Sequence, residues 1–140
     1  MIGRETEEHV KELPISQAVK VGNRVYVGGI HPIFDGEVDE SFPEQARIIF
    51  ARAVATLDHF GFTVADIVFV TAYLRRMSDY EAFNELYGRF VSPPYPARKV
   101  ITTDFAHESV LVELELLVEH GEKQYCSYAV SNSAGKTFAG

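Results

Sequence analysis

Strands and two helices within a single domain, an α+β class of fold, are what the sequence predicts. Three observations lead there. Short apolar segments with alternating or continuous hydrophobicity recur five times along the chain, each the length of a strand. Two intervening segments repeat apolar residues at i, i+3 and i+4, the period of a helix with one buried face. Each of those two segments opens on Ser-x-x-Glu, the spacing of a helix-starting capping box. No linker long enough to separate two domains interrupts the pattern.

The elements follow in order. Val19 and Val21 lead into Gly22-Asn23 and Val25 and Val27 lead out, which predicts a hairpin between Ser16 and Gly29. Gly28 and Gly29 then mark a bulge or a place where a ligand approaches the backbone closely. Residues 31–40 read as a polar loop. Its Asp35, Glu37, Asp39 and Glu40 lack the ligand order of a calcium loop. Ser41-Phe42-Pro43-Glu44 starts the first helix, whose stripe is Ala46, Ile49, Phe50, Ala53, Val54, Leu57 and Phe60, with Gly61 as its C-terminal cap. Asp66 to Met77 is apolar on both faces and predicts a strand buried on both sides. Ser78-Asp79-Tyr80-Glu81 opens the second helix, with Phe83, Leu86, Tyr87 and Phe90 inside. Ser92-Pro93-Pro94-Tyr95-Pro96 cannot continue a helix, because proline lacks the amide and restrains the residue before it. Strands over Arg98–Phe105 and Val110–Glu119 complete the domain.

The last strand carries information on both faces. Val112, Leu114, Leu116 and Val118 point one way, and Leu111, Glu113, Glu115 and Leu117 the other. A solvent face has no need of the two leucines, and a dry core does not accept two unpaired carboxylates. That mixture predicts packing against another surface, such as a second copy of the chain. From Gly121 to Gly140 the composition turns polar and rich in small residues, so residues 121–140 are read as a C-terminal extension, flexible or docked through Tyr125, Tyr128 and Phe138.

Composition narrows function. The 140 residues hold 20 acidic against 13 basic side chains, a net charge of −7. That balance disfavours nucleic acid as a partner, since phosphate-backbone affinity requires clustered Lys and Arg; a local patch of Arg75, Arg76 and Arg89 stays open. A hydrophobic content of 46% with ten Phe and seven Tyr excludes a disordered chain. No segment has the length and apolarity of a membrane span and the first residues are charged, which predicts a cytoplasmic protein with no membrane partner. One cysteine, Cys126, forms no internal disulfide, and five scattered histidines without paired spacing support no metal site. Ala134-Gly135-Lys136-Thr137 resembles the end of a phosphate loop, but Val130 occupies the place of its first glycine.

Two residues stand out as chemistry. Arg98 follows a stiff proline segment at the start of a strand, where its guanidinium is either directed at a planar carboxylate or held in an ordinary salt bridge. Glu113 is either an interface carboxylate or a potential base. The pair is read as lying on neighbouring strands, and spacing alone does not show that they meet.

Five blocks in order resemble the RidA/YjgF family of reactive-intermediate deaminases. They are Pro14 to Val19, Val25 to Gly29, Asn84 to Phe90, Pro96-Ala97-Arg98 and Val112-Glu113-Leu114-Glu115. The resemblance covers Pro14 to Val118, and residues 1–120 are taken as the family-like domain. It implies a fold like that of bacterial chorismate mutase, a mixed sheet with two helices packed on one face, assembled as a homotrimer with ligand clefts between subunits. It further implies hydrolysis of a 2-imino or enamino acid to a 2-keto acid and ammonia, without metal or organic cofactor. Arg98 would bind the substrate carboxylate, Glu113 would position or activate water, and the Gly29 backbone and Asn84 would complete the substrate site. The sequence departs from the family at Ile15, Gly28 and Ile30, where members carry tyrosine, serine and glutamine, and at Val100, where many carry cysteine. These changes are expected to remove polar contacts from the cleft, with His31 a substitute proton donor or a plain loop residue. The alternatives are a non-catalytic carboxylate-binding or chaperone-like trimer and, third, a ribonuclease.

Overall fold

The computed structural model describes residues 13–127. The elements run β1 (Ala18–Val21), β2 (Arg24–Ile30), α1 (Phe42–His59), β3 (Ile67–Leu74), α2 (Tyr80–Phe90), β4 (Ala97–Thr102) and β5 (Val112–Glu119). One mixed five-stranded sheet has the order β1-β2-β5-β3-β4, with β3 and β4 parallel and every other neighbouring pair antiparallel. β5, last in sequence, is the central strand. Its alternating apolar side chains explain that position, since a central strand needs one face for the core and ladder partners on both edges.

Local chemistry decides where each element begins and ends. The Ser41 hydroxyl accepts from the Glu44 amide, as the spacing predicts. The reciprocal arm differs: Asp39 accepts from the Ser41 amide at 2.8 Å, leaving Glu44 to pair with Arg47. At the far end Gly61 has φ +80° and donates to Asp58 while Phe62 donates to Leu57, the doubly bonded ending that a left-handed glycine permits. The second capping box does not form. A 3₁₀ turn over Met77–Asp79 precedes α2, and the Asp79 carboxylate is taken by Arg76 at 2.9 Å. The polar loop contains a tight turn not read from composition: Phe34 and Glu37 exchange backbone hydrogen bonds around Asp35 and Gly36, both at positive φ, as a twisted two-residue turn requires.

The core lies between the helices and one sheet face. Val25, Val27, Val70, Ala72, Leu114, Leu116 and Val118 meet Ala46, Ile49, Ala53, Leu57 and Phe83, all buried. Complete burial of a side chain the size of Leu or Phe contributes about 1.5–3 kcal/mol each. The helical stripe is narrower than predicted, because Val54 is exposed while Phe50 and Phe60 are partly buried. β4 and β5 are shorter than expected, since residues 103–111 turn back to join them.

The opposite sheet face carries no helix. Val19, Tyr26, Phe69, Thr71, Tyr73, Glu113, Glu115 and Leu117 share it by register. Val19 is 50% exposed and Tyr26 48%.

Candidate functional site

Arg98 pairs in register with Val70, a core position, so its side chain leaves β4 on the helix side of the sheet. There α2 presents Tyr80, Phe83 and Tyr87 at helical spacing. The guanidinium carbon lies 4.9 Å from the Tyr87 ring centre, 5.6 Å from Phe83 and 6.0 Å from Tyr80. Aromatic faces attract the cation and fix the guanidinium plane. Beside it opens a shallow cavity of about 600 Å³ lined by Phe69, Met77, Tyr80, Arg98, Lys99 and Val100. The same helix carries two buried polar atoms with no hydrogen-bond partner among the described residues, Asn84 Oδ1 and the Tyr87 hydroxyl. Burial pushes the Tyr87 phenol up to about 12, against the lowering effect of the Arg98 charge.

Glu113 lies on the open face, opposite Tyr73. It is half-buried, and burial holds its carboxyl above the ordinary value because the ionised form loses hydration. Diagonally, the Tyr73 hydroxyl donates to Glu115 at 2.6 Å, and this bond is the first cause of a raised Tyr73 phenol. Gly28 and Gly29 form the break in the β2–β5 register between Val27 and Ile30, and Gly29 has φ +71°, a conformation that favours glycine.

The predicted residues therefore fall into two groups. Arg98 and Asn84 belong to β4 and α2; Glu113 and Gly29 belong to β5 and β2. The reading of Arg98 and Glu113 on neighbouring strands is corrected, because β3 separates β4 from β5. Arg98 is level with Leu116 across Val70, and Glu113 is three residues further along on the other face. Strand rise and spacing put their backbones about 14 Å apart within one chain.

Other expectations divide. Ile30 is fully buried in the core, so its replacement of a polar residue removes no contact from an open cleft. Ile15 is 75% exposed. His31 is a turn residue: its Nδ1 accepts from the Ile33 amide at 3.2 Å, its carbonyl accepts from Arg52 at 2.7 Å, and burial with the Arg52 charge lowers its pKa. Arg75 bonds the carbonyls of Val110 and His107, while Arg76 and Arg89 pair with Asp79 and Glu85, so these arginines are committed locally. Cys126 is exposed. Among the described residues no helix is long and apolar enough to cross a membrane, and no group of three or more His, Cys, Asp or Glu could hold a metal ion. Tyr128, Phe138 and residues 134–137 lie outside the described residues.

Sequence reasoning missed the aromatic bed beneath Arg98, Lys99 in the cavity wall and Tyr73 beside the carboxylates. Tyr80, Phe83 and Tyr87 did carry a signal, their i, i+3, i+7 spacing, but it is equally that of a core stripe.

Known proteins share this fold. A family model described as endoribonuclease L-PSP matches residues 7–120. A RutC family protein of Pyrococcus abyssi is 34% identical over 117 residues, covering 80% of this chain and 91% of the relative. A protein of Dermatophagoides farinae named 2-iminobutanoate/2-iminopropanoate deaminase is 30% identical over 108 residues, covering 75% and 84%. The crystal structure of RidA from an Antarctic Psychrobacter superposes with a TM-score of 0.72 at 32% identity, over 79% of this chain and 92% of that one. The five sequence blocks, the two-helix mixed sheet and these matches agree, and the chain belongs to the RidA/YjgF family.

Proposed function

We propose that the protein hydrolyses 2-imino acids and their enamine tautomers to 2-keto acids and ammonia, at a cleft between subunits of a chorismate-mutase-like homotrimer. The observation that carries this reading is Arg98, its guanidinium bedded on three aromatic rings beside a largely apolar cavity at the sheet edge. A planar cation so held suits bidentate binding of a carboxylate. The deaminase name of the Dermatophagoides farinae relative supports the reaction class.

The distance between Arg98 and Glu113 within one chain favours a site shared by two copies. The open sheet face, with exposed Val19 and Tyr26 around Glu113 and Glu115, supplies a surface for the second copy. In the scheme, Arg98 orients the substrate carboxylate and the protonated imine makes its carbon electrophilic. Glu113 takes a proton as water oxygen bonds to that carbon, then returns it to the nitrogen of the tetrahedral intermediate. The C–N bond breaks with its electron pair leaving on nitrogen, the hydroxyl proton passes to the Glu113 carboxylate and on to the released ammonia, and keto acid and ammonium depart. Asn84 Oδ1 and the Gly29 amide are assigned to substrate positioning. The scheme requires neither metal nor organic cofactor.

The test generates 2-iminopropanoate or 2-iminobutanoate in situ and compares wild type with Arg98→Ala. Keto-acid release above the buffer rate in wild type, lost in the variant, is expected. Release at the buffer rate across several imino acids, with keto-acid binding retained, would favour the non-catalytic carboxylate-binding trimer. Sedimentation of a monomer would remove the shared site.

A further inference from the structure

We infer that the cavity beside Arg98 selects imino acids bearing a second carboxylate, with Lys99 as the residue that recognises it; this rests on the deaminase reading above. Arg98 and Lys99 are consecutive on β4, the edge strand of the sheet. Consecutive strand residues point to opposite faces, and one cavity contains both only because it wraps around that edge. Its remaining lining among the described residues is Phe69, Met77, Tyr80 and Val100, with no acidic side chain. Lys99 is exposed and pairs with no carboxylate among the described residues.

The arrangement thus has a rigid guanidinium, an apolar wall and a second, mobile cation. A monocarboxylic imino acid uses the first two. A dicarboxylic one, such as 2-iminoglutarate, lays its methylenes on the wall and brings its distal carboxylate to the ammonium. In a protein of net charge −7 a dianion is repelled at long range, so its capture needs local positive charge, and among the described residues lining this cavity Arg98 and Lys99 supply it. Lys suits the distal contact because its flexible stem tolerates different chain lengths, whereas the bedded Arg98 fixes the reacting end.

The experiment compares 2-iminoglutarate with 2-iminobutanoate, both generated in situ, in wild type, Lys99→Met and Lys99→Arg. Wild type should favour the dicarboxylic substrate in kcat/KM. Lys99→Met keeps the apolar stem and should lower that preference about fivefold, through KM, the scale of one partly exposed ion pair. Lys99→Arg should retain the preference. In parallel, calorimetry of 2-oxoglutarate and 2-oxobutanoate binding measures the same discrimination without turnover. An unchanged ratio in Lys99→Met, in rates or in binding, overturns the inference. Absence of turnover with every imino acid overturns the deaminase reading instead, and the binding comparison still decides the role of Lys99. Failure of wild type to bind either keto acid overturns both.

Discussion

Replacing Gln45 with leucine tests how the fold sets the carboxylate strand. Gln45 is fully buried on α1, and its amide makes three bonds, one to the loop that leads into α1 and two to the segment before β5. Its Nε2 donates to the carbonyls of Asp39 and Ser109, each at 2.8 Å, and its Oε1 accepts from the Leu111 amide at 2.8 Å. These bonds tie the start of α1 to the residue just before β5, the strand that carries Glu113. Leucine fills nearly the same space but satisfies none of the three groups. Asp39 is exposed, so water replaces its bond at little cost. Leu111 is buried and Ser109 half-buried, and each unsatisfied group of that kind costs about 1–3 kcal/mol. The expected destabilisation is therefore about 2–6 kcal/mol, a fall in Tm of roughly 10–20 °C for a domain of this size. Thermal melting and amide exchange measure it, with protection lost first at Leu111. A Tm within 2 °C of wild type, with Leu111 still protected, would refute the reasoning.

Glu113→Gln should lower keto-acid release about 10²–10³-fold, the usual weight of a general base. Because burial raises the Glu113 pKa, wild-type kcat should climb with pH through a value above the ordinary carboxylate, and that limb should vanish in the variant. The same shift acts on stability: its contribution is complete below the unfolded pKa and is lost as pH rises through the folded one, so Glu113→Gln should flatten the acid side of the stability profile. Tyr87→Phe removes a buried hydroxyl that has no partner among the described residues, and urea unfolding should show stability unchanged or raised by up to about 1 kcal/mol. Alkaline difference spectra should lose the tyrosine titrating at about 12; a clear destabilisation would instead reveal a partner for that hydroxyl. Gly61→Ala meets no atom within 4 Å but must hold φ +80°, so a loss of about 1 kcal/mol in denaturant unfolding at constant m-value is expected.

Local chemistry was legible wherever neighbours in sequence are neighbours in space. The Gly22-Asn23 hairpin, the Ser41 cap and the Gly61 helix ending depend on contacts within a few residues, and each stands where the pattern places it. The Ser78 box failed because Ser78 lies inside the 3₁₀ turn over Met77–Asp79 and α2 starts only at Tyr80, a shift that spacing does not encode. Val54 joined the apolar stripe by period yet is exposed, beside a surface groove that Phe50, Leu86 and Phe90 also line.

For the site, the sequence by itself determined the residue types: an arginine after a proline segment, a glutamate alternating with leucines on a strand, and two adjacent glycines. Strand alternation even determined that Glu113 lies opposite the core face. Only the tertiary structure decided their partners. Strand order is settled by which apolar faces pack together across the whole chain, and it inserted β3 between β4 and β5, separating Arg98 from Glu113. The approach of α2 to β4 likewise turned two residues of the apparent core stripe, Phe83 and Tyr87, together with Tyr80 into the bed of a cation, and Lys99 lines the same cavity. Such contacts join residues far apart in the chain, so their free energy depends on the assembled layers and no local window of sequence contains it.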